Sequence, residues 1–488
     1  MLIIQKTLCE DAHAAAGKST MPEKTSGGEL SPHANVDDME VHMENELFER
    51  TPIHRAYLKM AIPVVLSMVV QLIYNMVDTY FIALTGNTDL IAGVSVCAPL
   101  FTLMLAFGDI FGLGGSSVIS RLLGCGSRED ARRLSIFCLY GAAVFGVAVS
   151  FVMMVFRGPI LVFLGADGAS VSYASGYYSW IVMGAAFIIF SLVPTNLLRA
   201  VGSPNASMMA SVIGAAVNMV LDPVFIFGLG MGAAGAAIAT VIGYVCSDAF
   251  SVWFIWKKCP LMSLDVRKLR IFRPELAAIL AIGLPASVTN FMQTLGMTIT
   301  NRSLLPYGNE SIAVMGIVLK VVNIAALVIV GLAFGGQPLM GYTYGAGNMT
   351  RFRSVLKFAL QMVCGCGAVI AGILALIAPV MVGVFIRDEA LIAQGAVMLR
   401  LQMPSMVLMG IGLVMICSFQ STGKGIPALL LSICRQGAVY AAVMAVMSAM
   451  FGYTGVISAQ LVTDLVTTVI AWILFRFFLA GEMETARR

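Results

Sequence analysis

Long apolar stretches recur between residues 60 and 480 of this chain. A helix needs roughly 20 residues to span the hydrocarbon core of a bilayer. Because no water is available there, a spanning segment must satisfy its own backbone hydrogen bonds, which favours helices over an open sheet. Hydrophobic residues make up 59% of the chain and charged residues only 11%. The sequence therefore predicts an all-α polytopic protein embedded in the lipid bilayer. Its twelve predicted transmembrane helices begin near residues 56, 90, 131, 171, 206, 233, 275, 311, 352, 391, 427 and 455.

Basic residues are distributed unevenly between the two sides that twelve spans define. With a cytoplasmic amino terminus, 21 Lys and Arg residues from position 50 onward fall on the cytoplasmic side, and only Arg157, Arg302 and Arg387 fall on the other. Positive residues concentrate in the cytoplasmic loops of membrane proteins. We therefore expect both termini in the cytoplasm and a multi-pass protein of the plasma (inner) membrane. Because the basic runs alternate with spans, we expect no nucleic-acid partner.

The ends of the chain differ in composition from the rest. Residues 1–50 are polar and of mixed charge, and we expect a mobile cytoplasmic tail there. The run MLIIQKTL is too short for a secretion signal, and no small-residue cleavage site follows it. Residues 481–488 are expected to form a short carboxy-terminal tail.

Glycine and proline landmarks repeat along the chain at a nearly constant offset. Because these residues set helix ends and kinks, their spacing reports the layout of the helices. At offsets of 220 to 222 residues, the pairs include Pro63 with Pro285, Gly86 with Gly308, Gly126 with Gly347, Gly202 with Gly423, and Gly232 with Gly452. The pattern indicates an internal duplication.

The duplication divides the chain into two bundles of six helices. We predict an amino-terminal lobe over residues 51–258, a basic cytoplasmic linker over 259–273 and a carboxy-terminal lobe over 274–480. Six is even, so both lobes enter the membrane in the same direction and the repeats are parallel. That arrangement favours a cavity between two lobes that rock. The alternative is a duplicated bundle with a structural role and no transport.

One carboxylate, Asp222, interrupts the apolar stretch NMVLDPVFIFGLG. A charged side chain at a helix centre costs about 2.5–3.5 kcal/mol on insertion scales, so one that is retained indicates function. Asn218 lies four residues earlier on the same helix face. Pro223 has no N–H to donate to the carbonyl of Met219. An amide, a carboxylate and a free carbonyl together suit a hard cation such as Na⁺, or a proton relay.

A second acid, Asp78, lies in QLIYNMVDTYFIALTG, with Gln71 and Asn75 on the same helix face. At 1.5 Å per residue, Asp78 and Asp222 lie roughly 9 to 12 Å below the outer ends of their helices. Tyr177 and Thr240, from the fourth and sixth predicted helices, lie at the same depth. We therefore expect one site in the amino-terminal lobe. The alternative for each polar group is a hydrogen bond between packed helices.

The carboxy-terminal lobe lacks this set of residues. The repeat offset carries Asp78 to Thr300, Asn218 to about Ala438, Asp222 to about Ala442 and Thr240 to Gln460. We therefore expect ion coupling in the amino-terminal lobe.

The carboxy-terminal lobe has membrane charges of its own. They are Lys320, Arg400, Arg435 and Asp464, which either line a substrate path or form structural pairs. The candidates for the substrate path are Lys320, Arg435, Gln293 and Asn75. Asp109 and Asp248 are expected near helix ends, in structural roles.

Several classes of function lack support in the sequence. The cysteines have no paired metal spacing, and no GxxxxGK[ST] phosphate loop occurs, so we expect neither a cofactor nor ATP hydrolysis. The stretch AFGD at 106–109 is one residue from a GxGD pattern of intramembrane aspartyl proteases, which would use Asp78 and Asp109. Ala106 replaces its first glycine, and no Tyr-Asp dipeptide accompanies it. We expect a protein that is not an enzyme.

Four segments carry a resemblance to a known family. IPVVLSMVVQLIYNMVDTYFIALTG, GGSSVISRLLGCGSREDA, LLRAVGSPNASM and NMVLDPVFIFGLGMGAAGAAIATVIG are similar to signatures of the MATE (multidrug and toxic compound extrusion) transporters. The resemblance covers residues 51–480 and is closest to the branch with paired acids in helices 1 and 5. It implies a V-shaped protein of two lobes.

The resemblance also implies an activity and a site. The activity is secondary antiport, which exports small amphipathic, mostly cationic molecules in exchange for H⁺ or Na⁺. Asp78, Asn218 and Asp222 would form the cation site, and would be the metal ligands if the ion is Na⁺. Gln71, Tyr177 and Thr240 match supporting positions. The alternative within transport is a flippase for lipid-linked oligosaccharides, a relative by fold. We expect a monomer.

Overall fold

A computed structural model describes residues 47–165 and 170–482, and these residues are almost entirely helical. The helices of the amino-terminal half are α1 (Ile53–Leu84), α2 (Thr88–Val96), α3 (Ala98–Gly124), α4 (Arg128–Val155), α5 (Arg157–Phe163), α6 (Ser170–Met183), α7 (Ala185–Ala200), α8 (Pro204–Pro223) and α9 (Gly232–Lys258). Those of the carboxy-terminal half are α10 (Arg273–Leu304), α11 (Asn309–Gly345), α12 (Met349–Leu376), α13 (Ala378–Gly383), α14 (Glu389–Ser421), α15 (Gly425–Gln436) and α16 (Ala438–Phe475).

Twelve membrane spans account for the described helices. Ten stretches are long and apolar enough to cross a membrane, and α6 with α7 forms an eleventh that bends by 48°. The last of the ten, Gly425–Ala480, has 56 residues. At 1.5 Å per residue it would extend about 84 Å, far more than a bilayer of about 30 Å. Gly452 breaks it with φ 57° and ψ −131°, so the chain folds back there into two spans. The predicted twelve helices are confirmed.

The duplication is visible in the backbone as well as in the sequence. Glycines with positive φ occur at four pairs of repeat positions, where the chain turns between helices. They are Gly86 and Gly308, Gly126 and Gly347, Gly202 and Gly423, and Gly232 and Gly452. A residue with a Cβ rarely adopts this left-handed conformation, which explains why glycine occupies the same turns in both halves.

The two bundles pack together along one part of their length. We call the end that carries the basic segments 121–133, 257–273 and 349–357 the inner end, and the opposite end the outer end. Near the inner end the hydroxyl of Tyr57 in α1 donates to the carbonyl of Leu332 in α11 at 2.7 Å. A Cβ on Gly331 of α11 would lie 2.8 Å from the Cα of Val65, so the two backbones are in close contact.

A second inter-bundle contact joins α3 to α10. A Cβ on Gly114 would lie 3.0 Å from Cγ2 of Ile279. The hydroxyl of Ser287 donates to the carbonyl of Ala106 at 2.5 Å. These small residues let the two helices approach closely, as is usual for packing in membranes.

Outward of these contacts the two bundles separate. The outer part of α1 is exposed over most of its circumference, with Met76 at 55% and Tyr80 at 59% exposure. The outer part of α10 is similar, with Phe291 at 56% exposure. The arrangement is therefore a V that is closed at the inner end and open at the outer end.

Residues at both ends of the described chain pack against α11 at the inner end. The ring of Phe48 stacks on Tyr342 with centroids 4.7 Å apart, and the Tyr342 hydroxyl donates to Glu49 at 2.8 Å. The hydroxyl of Tyr344 donates to Glu482 at 2.9 Å. Thus the last residues of the predicted amino-terminal tail, 47–50, pack on the bundle, whereas residues 1–46 and 483–488 lie outside the described part.

Candidate functional site

Four polar side chains meet within the outer part of the amino-terminal bundle. We call Asp78 of α1, Asn218 and Asp222 of α8, and Thr240 of α9 the acid cluster. Asp78 lies six residues before the end of α1 and Thr240 eight residues after the start of α9, so both lie about 9 to 12 Å from the outer ends of their helices. The depth predicted from residue counting agrees with these helix bounds.

The end of α8 is irregular where the cluster forms. Pro223 lacks a backbone N–H, so the regular hydrogen-bond ladder cannot continue through it. The chain passes instead into a π-helical turn over Val224–Gly228, in which the N–H of Leu229 bonds to the carbonyl of Val224 at 2.9 Å. Such π-turns occur frequently at functional sites, because they reorient side chains without ending the helix.

Hydrogen bonds hold the members of the cluster together. The amide nitrogen of Asn218 lies 3.3 Å from Oδ1 of Asp222 and 3.3 Å from the hydroxyl of Thr240. The carboxyl groups of Asp78 and Asp222 are close enough to share a hydrogen bond. Asn218, Asp222 and Thr240 are 2%, 0% and 4% exposed. The cluster is therefore assembled within the bundle and does not face lipid.

Three oxygens of the cluster have no hydrogen-bond donor among the described residues. They are Oδ1 of Asp78, Oδ1 of Asn218 and Oδ2 of Asp222, and all three are buried. Buried polar atoms are nearly always paired, so a group of orphaned oxygens needs an explanation. Two carboxyl oxygens and an amide oxygen are ligands that a hard cation prefers, and a proton shared by the carboxyl groups would also satisfy them.

Aromatic hydroxyls surround the acids. Tyr177 of α6 interacts electrostatically with both acids, in agreement with its predicted depth. Two further tyrosines were not predicted. Tyr74 of α1 interacts with Thr240 and with Tyr244 of α9. Each lies four residues from a predicted site residue on the same helix face, and that spacing is the signal that could have identified them.

The remaining predicted residues of α1 lie apart from the acids. Gln71 is exposed at its own helix surface and lines a small cavity of about 100 Å³ that also borders Asn218 and Thr240. Asn75 is exposed as well, and its backbone carbonyl accepts a hydrogen bond from Thr79 at 2.8 Å. The structure brings neither side chain into hydrogen-bonding contact with the acid cluster.

A larger cavity, of about 490 Å³, opens in the carboxy-terminal bundle. Its wall contains an ion pair in which Nε of Arg435 lies 3.0 Å from Oδ1 of Asp464. Ser405 and Gln460 also donate to Asp464.

Of the predicted path residues, Arg435 and Gln293 line this cavity. Lys320 is not among the lining residues, and its side chain is exposed on α11. Arg400 bonds to a backbone carbonyl, that of Ala375, at 3.1 Å.

Two acids lie elsewhere than expected. Asp109 and Asp248 were expected near helix ends, but both lie well inside α3 and α9. Asp109 accepts a hydrogen bond from Asn290 at 3.3 Å and borders the larger cavity. The expectation was wrong because the second span runs from Thr88 to Gly124 and α9 continues to Lys258, so both helices extend beyond their apolar centres.

Comparison with known protein families shows which family this chain matches. A family model described as MatE matches residues 63–224 and 285–447, two stretches that begin 222 residues apart and so follow the internal repeat. The chain belongs to the MatE family. Family and relatives indicate a transporter.

Two curated relatives span nearly the whole of this MatE protein. The multidrug export protein MepA of Staphylococcus aureus is 30% identical over 417 residues, which cover 86% of this chain and 92% of the relative. The protein of the same name from Staphylococcus saprophyticus is 28% identical over 427 residues, which cover 88% of this chain and 94% of the relative.

Solved structures share the fold of this MatE chain. The outward-facing structure of a multidrug resistance MATE transporter has a TM-score of 0.85 and 24% identity, and covers 91% of this chain and 98% of its own. A MOP superfamily transporter from Pyrococcus furiosus has a TM-score of 0.84, 24% identity and the same coverage. The likeness shows the predicted fold of twelve helices in a two-lobed V.

The second repeat of this MatE protein differs from the first at the position of the acid cluster. Thr300, the repeat counterpart of Asp78, hydrogen-bonds to the hydroxyl of Tyr440 at 2.6 Å. Both side chains are buried and both are neutral. The two lobes therefore share a backbone plan but not an acidic site at this depth.

Proposed function

We propose that this protein is a secondary multidrug antiporter that exports small amphipathic, mostly cationic molecules in exchange for an ion. The observation that carries the proposal is the group of three orphaned, buried oxygens on α1 and α8. The names of the Staphylococcus relatives support drug export, and they do not favour the lipid-linked oligosaccharide flippase. The coupling ion is H⁺ or Na⁺, because the acid cluster offers ligands that suit either.

Ion binding is coupled to the arrangement of the lobes through the packing of α1. With the outer end open, water reaches the acid cluster, and an ion binds to Asp78 and Asp222 with Asn218. Neutralising two adjacent carboxylates removes their repulsion, so α1 and α8 pack more closely around the ion. The outer part of α1 packs on α8 and is otherwise largely exposed, so it is free to shift. An ion that binds one arrangement of the lobes more tightly than the other shifts the equilibrium between them.

The substrate path runs along the opening between the lobes. We propose that Arg435 and Gln293 contact substrate in the carboxy-terminal cavity, and that Asn75 and Lys320 do so at its exposed border. The walls of this cavity include Met406, Met409 and Leu413. Flexible, polarisable methionine side chains can repack around ligands of different shape, which suits a transporter of varied drugs.

The setting of this activity is the plasma (inner) membrane, with both termini in the cytoplasm. The support is the concentration of Lys and Arg at the inner end. The monomer contains both lobes, residues 51–258 and 274–480, which rock about the linker 259–273. The ion is also surrounded by Tyr177 and Thr240, and Gln71 lines the small cavity that borders the site.

The test is transport by purified protein in liposomes. Ethidium efflux is driven first by an imposed Na⁺ gradient and then by an imposed pH gradient, for the wild type, Asp78→Asn and Asp222→Asn. We expect one gradient to drive efflux in the wild type and neither to do so in the variants, at unchanged expression. Asp89→Asn is the matched control, because Asp89 is an exposed acid in the first turn of α2 and lies outside the cluster. Full efflux by either cluster variant refutes the proposal.

A further inference from the structure

A third buried acid of the amino-terminal lobe lies outside the acid cluster. Asp248 of α9 is 6% exposed, and neither of its carboxyl oxygens has a hydrogen-bond partner within the described residues. An isolated charge in apolar surroundings is so unfavourable that such a group takes up a proton and becomes neutral. A partnerless carboxyl group also contributes no ion pair to the fold, so a structural role does not explain it.

Asp248 lies in line with the acid cluster. Thr240, Tyr244 and Asp248 follow one another at intervals of four residues, which places them along one face of α9. The eight residues from Thr240 to Asp248 correspond to about 12 Å along the helix axis, towards the inner end. Tyr244 interacts electrostatically with Asp248 and with Tyr74, and Tyr74 interacts with Thr240. Tyr244 therefore lies between the cluster and the deeper acid, without a direct hydrogen bond to Asp248.

The small cavity of about 100 Å³ follows the same route. It borders Asn218 and Thr240 of the cluster, then Tyr244 and Ser247; Ser247 precedes Asp248 in α9, and Asp248 is not itself among the lining residues. Its wall also carries hydroxyl groups from Ser191, Thr195 and Ser211. A cavity of this size has room for a few water molecules, and these hydroxyl groups offer partners to bind them. Protons can pass along such a chain of water and hydroxyl groups.

The charges around Asp248 favour a proton over a metal ion. Three helices pack closely on α9: α8 carries Asp222 as its one charged residue, α7 carries Arg199, and α6 carries tyrosines but no charged residue. Arg199 donates to the side chain of Asn196 at 2.7 Å and interacts with Asp109, not with Asp248. Tyr244 is the titratable group that interacts with Asp248. A single carboxyl group falls short of the several oxygen ligands that a metal ion requires.

We propose that Asp248 is a second proton-binding site, which receives protons from the acid cluster and passes them towards the inner end. The proton leaves a carboxyl group of the cluster, moves through water or the Tyr244 hydroxyl, binds a carboxyl oxygen of Asp248 and departs to water at the inner end. No other bond changes. The inference rests on the proposed antiport and selects H⁺ as the coupling ion.

The test compares Asp248→Asn with Asp222→Asn in liposomes under an imposed pH gradient. We expect Asp248→Asn to slow ethidium efflux by at least about tenfold, because the proton loses its inner binding site. Ethidium affinity of the detergent-solubilised variant should stay within about twofold of the wild type, because the substrate cavity is unchanged. Ser251→Ala is the matched control: Ser251 is buried one turn further along α9 and bonds to its own helix, to the carbonyl of Ser247 at 2.9 Å.

The outcomes separate the two proposals. If Asp222→Asn retains efflux, the antiport proposal fails. If Asp222→Asn is inactive while Asp248→Asn transports like the wild type, the antiport proposal stands and the second proton site is refuted.

A second measurement needs no variant and decides the matter if Asp248→Asn does not fold. Dicyclohexylcarbodiimide adds to protonated carboxyl groups in apolar surroundings, and peptide mass mapping of the wild-type protein locates the adduct. We expect labelling of Asp248 near neutral pH, decreasing as the solution is made alkaline. An unlabelled Asp248 under conditions that label another buried acid overturns the proposal.

Discussion

The ion pair in the carboxy-terminal cavity allows a quantitative test of how that lobe is held together. Arg435 and Asp464 are 13% and 2% exposed at their side chains, with Nε and Oδ1 3.0 Å apart. Removing one partner of a buried pair costs about 3–5 kcal/mol, because the other charge is left uncompensated. In Arg435→Met, Ser405 and Gln460 still donate to Asp464. We therefore expect the free energy of unfolding to fall by about 3 kcal/mol, at the low end of that range.

The complementary changes complete a double-mutant cycle. Asp464→Asn leaves the Arg435 guanidinium, which at 13% exposure is more accessible to water than the 2% exposed carboxylate, so we expect the free energy of unfolding to fall by only about 1 kcal/mol. The double variant leaves no uncompensated charge, and we expect it to lose about 1 kcal/mol as well. The coupling free energy between the two side chains should therefore be about 3 kcal/mol.

The assay is unfolding of the purified variants in mild detergent as a denaturing detergent is added, followed by tryptophan fluorescence. Ethidium efflux of the double variant provides the functional readout. If the two single losses add to within about 0.5 kcal/mol of the double loss, the reasoning is refuted, since the cavity would then be wet enough to solvate each charge independently.

Three further results are expected. Thr240→Ala removes a hydroxyl from the acid cluster and should weaken the binding free energy of the ion by about 1 kcal/mol. The half-saturating ion concentration for efflux should then rise about fivefold, and an unchanged value contradicts a role in ion binding. Gly114→Leu places side-chain atoms against Ile279 and should weaken the inner contact by about 1–3 kcal/mol, seen as faster hydrogen–deuterium exchange in that part of α3. Burial lowers the pKa of Lys424, and its ion pair with Glu482 counteracts the shift. A lysine with a pKa below its unfolded value makes stability rise with pH between the two values. In Glu482→Gln that rise in melting temperature should begin at lower pH; identical profiles contradict the reasoning.

Most of the fold could be predicted because its landmarks are local. The turns at Gly126 and Gly452 need a left-handed backbone, which the residue type itself reveals. The bend of the fourth span at Gly184 was not predicted; the chain there packs so closely on α9 that a Cβ would lie 2.7 Å from Cγ1 of Val241. A contact between distant helices leaves no periodic signal in either sequence.

The candidate site shows the same division between local and tertiary causes. Asn218 and Asp222 were predictable as a pair because four residues make one helical turn. The pairing of Arg435 with Asp464 was not, because it depends on the chain folding back at Gly452. The lack of a partner for Asp248 could not be predicted either, since Arg199 of α7 and Asp222 of α8, the charged residues of two neighbouring helices, interact with other groups.

The inner packing of α1 against α11 makes the rest of α1 a lever. From Val65 to Leu84 the helix extends about 28 Å beyond the fulcrum, so a tilt of about 10° would move its tip by about 5 Å. A rearrangement of one or two side chains at the contact with α11 would thus cause a larger displacement at the outer opening between the lobes, where molecules of very different width must enter or leave. The tilt of α1 would then explain both how the protein accepts substrates of different size and why packing changes far from the opening affect it.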